Sequence, residues 1–322
     1  MAVPLRKRVK RAVRSWLVRA AIRLVGILPL RPALSLGSFV AAVGWVLAGE
    51  TRRLALASLA IAFPELPDEE RRGIARRCFR HLAWAAMEVA TARSFDRNLE
   101  TYVGFAGGGD ALLHDILARG KGMVFVTGHV GNWELLARRV SRAGIDNAII
   151  AKAGDDPMMN ALAARFRAEA GVTTLWREDP ATGRAIIRTF REGKALGILV
   201  DQDTKVQGVF VPFFGRPAWT PRAPGDLALR FGAPVVVCTC RRRGDRPGDG
   251  HELEVVEVLY DPAPADREHE AVRIVAACSQ LLEAAIRRSP AEWVWMHRRW
   301  KTRPGPEVAA SAMPKSREVS GS

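Results

Sequence analysis

A chain of 322 residues is long enough to bury a full core in one large domain or two small ones. Its 49 Lys and Arg against 34 Asp and Glu leave a net charge of +15, which favours polyanionic partners: nucleic acid, anionic lipid, a phosphorylated substrate or an acidic carrier protein. Four cysteines, Cys78, Cys238, Cys240 and Cys278, lack the pair spacing of a zinc site and read as reduced, mostly buried thiols of a reducing compartment.

In chain order, the first feature is one-sided charge. Arg6, Lys7, Arg8, Lys10, Arg11, Arg14, Arg19, Arg23 and Arg31 all precede the first acid, Glu50. Trp16 to Leu30 is apolar but for Arg19 and Arg23, Ala33 to Gly49 carries no charge, and Pro29 and Pro32 break the helix between them. Each block is near or below the roughly 20 residues a spanning helix needs. The two arginines argue against a cleaved signal peptide, and a buried helix pair is one alternative. A membrane-associated helical segment over residues 1–50 accounts for both the basic flank and for Trp16 and Trp45. Arg52, Arg53, Arg71, Arg72, Arg76 and Arg77 make the second flank basic too, which favours a shallow or hairpin insertion from the cytoplasmic side.

Thr51 to Phe63 is expected to be a helix ended by Pro64. Asp68 reads as the cap of a helix running to about Arg93, with Ile74, Cys78, His81, Leu82 and Ala85 on one face. Gly107-Gly108-Gly109 is a turn without the spacing of a dinucleotide fingerprint. Strands then alternate with helices. Strands are expected at Gly122 to Thr127, Ala148 to Ala151, Leu196 to Val200, Pro234 to Thr239 and Leu253 to Tyr260. Helices are expected at Leu135 to Ala143, Pro157 to Ala170, Thr182 to Arg191, Ala223 to Phe231 and His269 to Arg288. This alternation predicts an α/β domain over residues 51–304, with a largely parallel central sheet flanked by helices on both faces. Residues 305–322 are rich in Pro, Gly and Ser and read as a disordered tail.

Gly128-His129-Val130-Gly131-Asn132-Trp133-Glu134 falls where a buried strand ends and a helix begins, the place where open α/β sheets bind ligands. Five residues along a continuous helix would point His129 and Glu134 about 140° apart. A turn at Gly131 would let the carboxylate fold back to the imidazole, and glycines at 128 and 131 allow a close backbone approach by a ligand. An imidazole held by a carboxylate at one nitrogen presents the other as a base. Amides at the helix start are candidate oxyanion donors. An ordinary hydrogen-bonded His–Glu pair is the plainer alternative. The remaining histidines, at 81, 114, 251, 269 and 297, show no ligand spacing, so neither a metal nor another cofactor is expected.

At this point the chain resembles a known family. His129 to Glu134 is similar to the H-x4-D/E signature of the glycerolipid acyltransferase superfamily. Gly128 to Glu134, Asp201-Gln202-Asp203, Val209 to Gly215 and His297 to Pro304 occur in the order seen in the late acyltransferases of lipid A biosynthesis. Ala62-Phe63-Pro64-Glu65 matches as well, and the likeness spans roughly Leu17 to Pro304. Ser58 stands before Leu59 where the family often has Asn, a departure that bears on acceptor identity and not on the chemistry. The resemblance implies an acyl-carrier-protein-dependent O-acyltransferase at the cytoplasmic side of the cell inner membrane. His129 would deprotonate a hydroxyl of a phosphorylated glycolipid, a lipid A precursor, and Glu134 would orient His129. No covalent acyl-enzyme, metal or other cofactor is implied.

Further substrate-binding candidates are Gly128 and Asn132 within the motif, and Asp201, Gln202 and Asp203 at a second strand end, where helix or loop capping is the alternative. Phe210, Phe213 and Phe214 read as an acyl-groove wall or as plain core. Arg165 and Arg167 read as substrate-facing or as a solvated helix face, and Thr220 to Arg222 as a phosphate-holding helix start. Glu88 reads as a structural pair, and the run from Trp293 to Trp300 as a docking and stability element. A related enzyme acting on another glycolipid, such as a phosphatidylinositol mannoside, is the nearer rival. A basic nucleic-acid-binding protein is the distant one, because the basic residues are spread and no binding module is readable.

Overall fold

The computed structural model describes residue 16 and residues 18–305. The basic run from Arg6 to Arg14 and the tail expected to be disordered, residues 306–322, lie outside the described residues.

The two apolar N-terminal blocks are helices, α1 over 18–25 and α2 over Leu30–Leu47, with Pro29 at the break. Helix α3 (Gly49–Ala62) ends just before Pro64, α4 (Asp68–Phe95) follows, and the single turn α5 (Leu99–Tyr102) leads into the sheet. Pro67, not Asp68, holds the cap position of α4; Asp68 is its first residue and pairs with Arg71 at 2.5 Å. Helix α2 has two faces. Ala33, Leu34, Gly37 and Ala41 are buried, whereas Leu36, Phe39, Val40, Val43, Val46 and Leu47 are exposed. The buried face lies on α4. A Cβ at Gly37 would stand 2.9 Å from Met87 Cγ, and Trp84 Nε1 donates to Ser38 Oγ at 2.8 Å.

The central sheet is built from β1 (Val103–Phe105), β2 (Met123–Thr127), β3 (Asn147–Ala151), β4 (Thr173–Trp176), β5 (Ala195–Leu199), β8 (Val235–Arg242) and β9 (His251–Val258). Their spatial order is β1-β9-β8-β2-β5-β3-β4. Only β8 and β9, joined by a short loop, are antiparallel; every other neighbouring pair is parallel. Central β2 is buried throughout, as a strand covered on both sides must be. Val124 and Val126 pack with Phe190 of α9 (Thr182–Arg191), Leu229 of α10 (Ala223–Phe231) and Ile274 of α11 (Arg267–Arg288). Met123 and Phe125 pack on the opposite face with Phe95, with Leu113 of α6 (Gly109–Ala118), and with Leu136 of α7 (Trp133–Arg142). Each such side chain contributes about 1.5–3 kcal/mol on burial. The four cysteines are buried and free, and burial pushes their thiols up, that of Cys78 to about 12.

Val209 to Gly215 lies in a separate antiparallel hairpin, β6 (Gly208–Phe213) and β7 (Arg216–Pro221). Its two-residue turn, Phe214-Gly215, has φ of 52° and 68°, the primed geometry that matches strand twist. A phenylalanine in the left-handed region is strained. The strain is offset by packing: Phe214 is buried, with its ring 5.0 Å from Phe213 and 5.4 Å from Phe63. Phe213 and Phe214 thus belong to a core shared with Trp293, Trp295 and Trp300, and the groove-wall expectation is corrected for both. Phe210 packs edge-on against Trp219 at 5.1 Å.

One buried polar node ties the layers together. Glu88 of α4 accepts from Arg242 at 2.7 and 2.9 Å, from Tyr102 at 2.7 Å and from Asn132 at 2.9 Å, and it contacts His251 Nε2 at 3.0 Å. Burial opposes its charge, but the interactions with His251 and Arg242 outweigh burial and hold the carboxyl below its ordinary range. Removing the carboxylate strands the Arg242 guanidinium, so Glu88→Gln is expected to cost about 3–5 kcal/mol in chemical denaturation at pH 7. The folded pKa is depressed, so this contribution is complete above the unfolded value, about 4.3, and is lost as pH falls through the folded one. The gap between wild type and variant should therefore close in acid.

Candidate active site

The site begins with strand register. β2 and β5 are parallel neighbours with Thr127 opposite Leu199, so two residues past each strand end His129 comes beside Asp201. His129 Nδ1 lies 2.8 Å from Asp201 Oδ1, and the His129 backbone N–H donates to Oδ2 at 2.6 Å. Trp293 Nε1 donates to the same Oδ2 at 2.7 Å. Asp201 is 1% exposed. Burial opposes its charge, but the contacts with His129, then His297 and Trp293, outweigh burial and keep it well below the usual carboxylate range. An ionised carboxylate only accepts, so in the neutral imidazole Nδ1 carries the proton and Nε2 keeps its lone pair.

Two glycines make this contact possible. A Cβ at Gly128 would press to 3.1 Å from Asp201 Cγ and Oδ2. At Gly131, φ is +60° and a Cβ would sit 1.9 Å from the Cys240 carbonyl oxygen, so only glycine fits. The close approach expected from a ligand is made at these positions by the protein itself. Gly131 N–H donates to the Glu292 carbonyl at 2.9 Å, which fixes the loop before α7 begins.

Nε2 faces a small polar cluster. The Gln202 amide nitrogen lies 3.1 Å from His129 Nε2 and 2.9 Å from His297 Nε2. Burial lowers His297 to about 4 against the pull of Asp201, with repulsion from Arg299 adding to the shift, so His297 is neutral near pH 7. Trp133 meets the His129 ring edge-on at 4.8 Å. His129, Trp133, Glu134, Arg167 and Gln202 line one end of a cavity of about 520 Å³. Its remaining wall is chiefly apolar, with Phe125, Leu136, Ala137, Val140, Ile149 and Ile186. This volume suits a small-molecule or acyl-chain site.

Glu134 does not fold back to the imidazole as expected. It faces the same cavity but is held by Arg167 of α8 (Pro157–Ala168), Nε to Oε2 at 2.9 Å and Nη2 to Oε1 at 2.5 Å. The reason is register: Asp201 reaches Nδ1 first, and the bidentate guanidinium satisfies both oxygens of Glu134. Asn132 is buried, caps α7 by accepting from Leu135 N–H at 3.2 Å, and reaches Glu88, so it positions the helix and does not line the cavity. Asp203 accepts from Thr302 N–H at 2.6 Å and from its hydroxyl at 2.9 Å, tying down the C-terminal run. Arg165 is exposed and pairs with Glu169 at 3.1 Å. Thr220 accepts from Arg299 at 2.6 Å and Arg222 pairs with Asp226 at 2.8 Å, so these residues are engaged within the protein. Of the substrate candidates, Gln202 and Arg167 share the cavity with His129 and Glu134, and Asp201 supports it from behind.

Residue-level reading also missed Trp293 and His297 as parts of this site. The available signal was the spread of aromatic and histidine residues in the C-terminal run, but nothing in a linear pattern shows that it returns to β2. It does so by the Val130–Trp293 bridge and by Val294 N–H donating to the His129 carbonyl at 3.3 Å. Ser58, at the position that departs from the family pattern, donates to the His297 carbonyl at 3.3 Å.

Comparison with known proteins points the same way as the motifs. The family model for bacterial lipid A biosynthesis acyltransferases matches residues 4–302. A lipid A biosynthesis lauroyltransferase of Escherichia coli (strain K12) is 26% identical over 295 residues, covering 90% of this chain and 92% of the relative. A lipid A biosynthesis acyltransferase of Haemophilus influenzae is 27% identical over 274 residues, covering 81% and 82%. A phosphatidylinositol mannoside acyltransferase of Mycobacterium tuberculosis is 24% identical over 215 residues, covering 65% and 62%.

The arrangement makes Asp201, not Glu134, the group that sets the imidazole. In nitrogen-15 NMR of histidine-labelled protein, neutral His129 should carry its proton on Nδ1. Asp201→Asn should shift the population towards the Nε2–H form, while Glu134→Gln should leave it in place. The opposite pattern would return the orienting role to Glu134.

Proposed function

The chain belongs to the bacterial lipid A biosynthesis acyltransferase family, and we propose that it moves a fatty acyl group from acyl carrier protein to a hydroxyl of a lipid A precursor, with His129 as general base. The observation that carries this reading is the His129–Asp201 bond beside an apolar-walled cavity. In this mechanism the acceptor hydroxyl displaces the Gln202 amide from Nε2. Its proton passes to Nε2 as its oxygen attacks the thioester carbon. Asp201 stabilises the imidazolium that forms. The backbone N–H groups of Trp133 and Glu134, in the first turn of α7 where no intrahelical acceptor is available, suit the developing oxyanion. Collapse of the tetrahedral intermediate breaks the carbon–sulfur bond, and the leaving thiolate takes the proton back from Nε2. The products are the ester and the free carrier thiol. Glu134 anchors Arg167 beside the reacting centre and is given no proton to move.

Charge and surface support the same partners. A net charge of +15 suits an acidic carrier and a phosphorylated glycolipid. The lipid A relatives match far more of the chain than the phosphatidylinositol mannoside enzyme does, which favours a lipid A acceptor. We place the protein on the cytoplasmic side of the inner membrane, with the exposed stripe of α2 in the bilayer surface. α2 is long and apolar enough to cross a membrane, but its other face is committed to α4 and that helix carries Arg72, Arg76 and Arg77. Arg52 and Arg76 flank Trp45, each 5.5 Å from its ring, in the manner of an interfacial anchor.

The test is transfer from acyl carrier protein to a lipid A precursor by the full chain. His129→Ala should lower kcat by about 10²–10⁴-fold, and Asp201→Asn should fall in the same range. A near wild-type rate for His129→Ala would end the proposal. Ala137→Leu, which fills part of the cavity, should shift donor preference to shorter chains while leaving the rate with short donors close to wild type.

A further inference from the structure

A second concave site, of about 270 Å³, shares no lining residue with the catalytic cavity. Three arginines converge on it from three elements: Arg77 of α4, Arg242 at the end of β8 and Arg288 in the last turn of α11. Between them sits His81, one turn beyond Arg77. Its ring is 7% exposed and stacks on Trp84 at 5.4 Å, and neither ring nitrogen has a hydrogen-bond partner among the described residues. Arg242 spends its two terminal nitrogens on Glu88, but its buried Nε is also unpartnered. Arg288 is paired with Glu254, whereas Arg77 forms no ion pair among the described residues.

The electrostatics agree with the geometry. Burial, then the fields of Arg242, Arg80 and Arg77, press His81 down to about 3, so near neutrality it is uncharged in a positive potential. The two acids that line the pocket are weak competitors. Glu292 is raised to about 7 by burial, and Asp245 is an exposed loop carboxylate 3.8 Å from Arg80 and 4.0 Å from His81, outside hydrogen-bond reach.

We infer that this pocket binds a phosphate group, held by Arg77, Arg242 and an N–H of His81, with Asp245 standing where the anion would enter. Separate donors on Arg77, Arg242 Nε and the His81 ring match a tetrahedral anion better than a planar carboxylate, which one fork already satisfies. A lipid headgroup and free phosphate share this chemistry. The location admits the headgroup: α4 carries α2, and the loop bearing Asp245 reaches Arg31 at the start of α2, where a Cβ on Gly248 would lie 3.5 Å from the arginine. This inference stands independently of the acyl-transfer chemistry.

The experiment is calorimetry on the full chain in neutral detergent, with inorganic phosphate as the probe. Arg77→Gln should weaken binding by at least about tenfold, and Asp245→Asn, which removes the competing charge, should tighten it several-fold. Both side chains lie at the surface, so the fold should survive either change. Vesicles of phosphatidylcholine with and without phosphatidic acid separate the sources. A phosphatidate-dependent gain in binding that Arg77→Gln abolishes identifies the headgroup; loss of phosphate affinity with that gain intact identifies free phosphate. No phosphate binding, unchanged affinity in both variants, or equal affinity for glutarate would overturn the inference.

Discussion

The structure depends on one carboxylate in one place. Asp201 accepts three hydrogen bonds at 2.6 to 2.8 Å, from the backbone and ring of His129 and from the Trp293 indole. Three segments distant in sequence, residues 129, 201 and 293, are thereby fixed to a common point. None of the three is held there by its own local structure. The parallel register of β2 and β5 brings the first two together, and a side chain from beyond α11 closes the set. A buried carboxylate satisfied in this way is rigid and remains ionised, and that rigidity is what the base role proposed for His129 requires.

A second layer keeps that point from drifting. Gly131 lets the loop pass against the Cys240 carbonyl, Asn132 caps α7, and the Asn132 amide is in turn held by Glu88 with Arg242, Tyr102 and His251 around it. The node spans α4, the loop before α7, and strands β8 and β9. It couples the helix that carries α2, with its exposed apolar stripe, to the loop that carries His129, so the two share one buried polar anchor. Glu134 and Arg167 form an outer pair on the cavity rim, satisfied by each other.

Much of the fold was legible in the sequence because a parallel sheet covered on both sides writes itself as short apolar runs between amphipathic helices. β2, β3, β5, β8 and β9 were found this way, and α9 and α10 to the residue. The elements missed had weaker grammar. β1 is three residues long, α6 starts at Gly109 without a capping side chain, β4 is half-exposed and ends in Trp176, and the β6–β7 hairpin turns on Phe214-Gly215 where the usual signal is Asn or Asp before Gly. At the site, His129 was legible from a strand end flanked by glycines. Its partner is not: Glu134 is five residues away and Asp201 seventy-two, and proximity in the chain does not give proximity in space. The register of two neighbouring strands decides that question, and register is a property of the assembled sheet.

The C-terminal run adds a consequence for the order of assembly. Trp293 and His297 follow every strand and every long helix among the described residues, yet they complete the pocket around the imidazole, and Thr302 is clasped by Asp203. A nascent polypeptide with its whole sheet already emerged from the ribosome would still lack the indole that steadies Asp201. On the mechanism proposed for His129, activity is therefore withheld until synthesis has passed residue 302, and products of premature termination before that run should be inert even where they are compact.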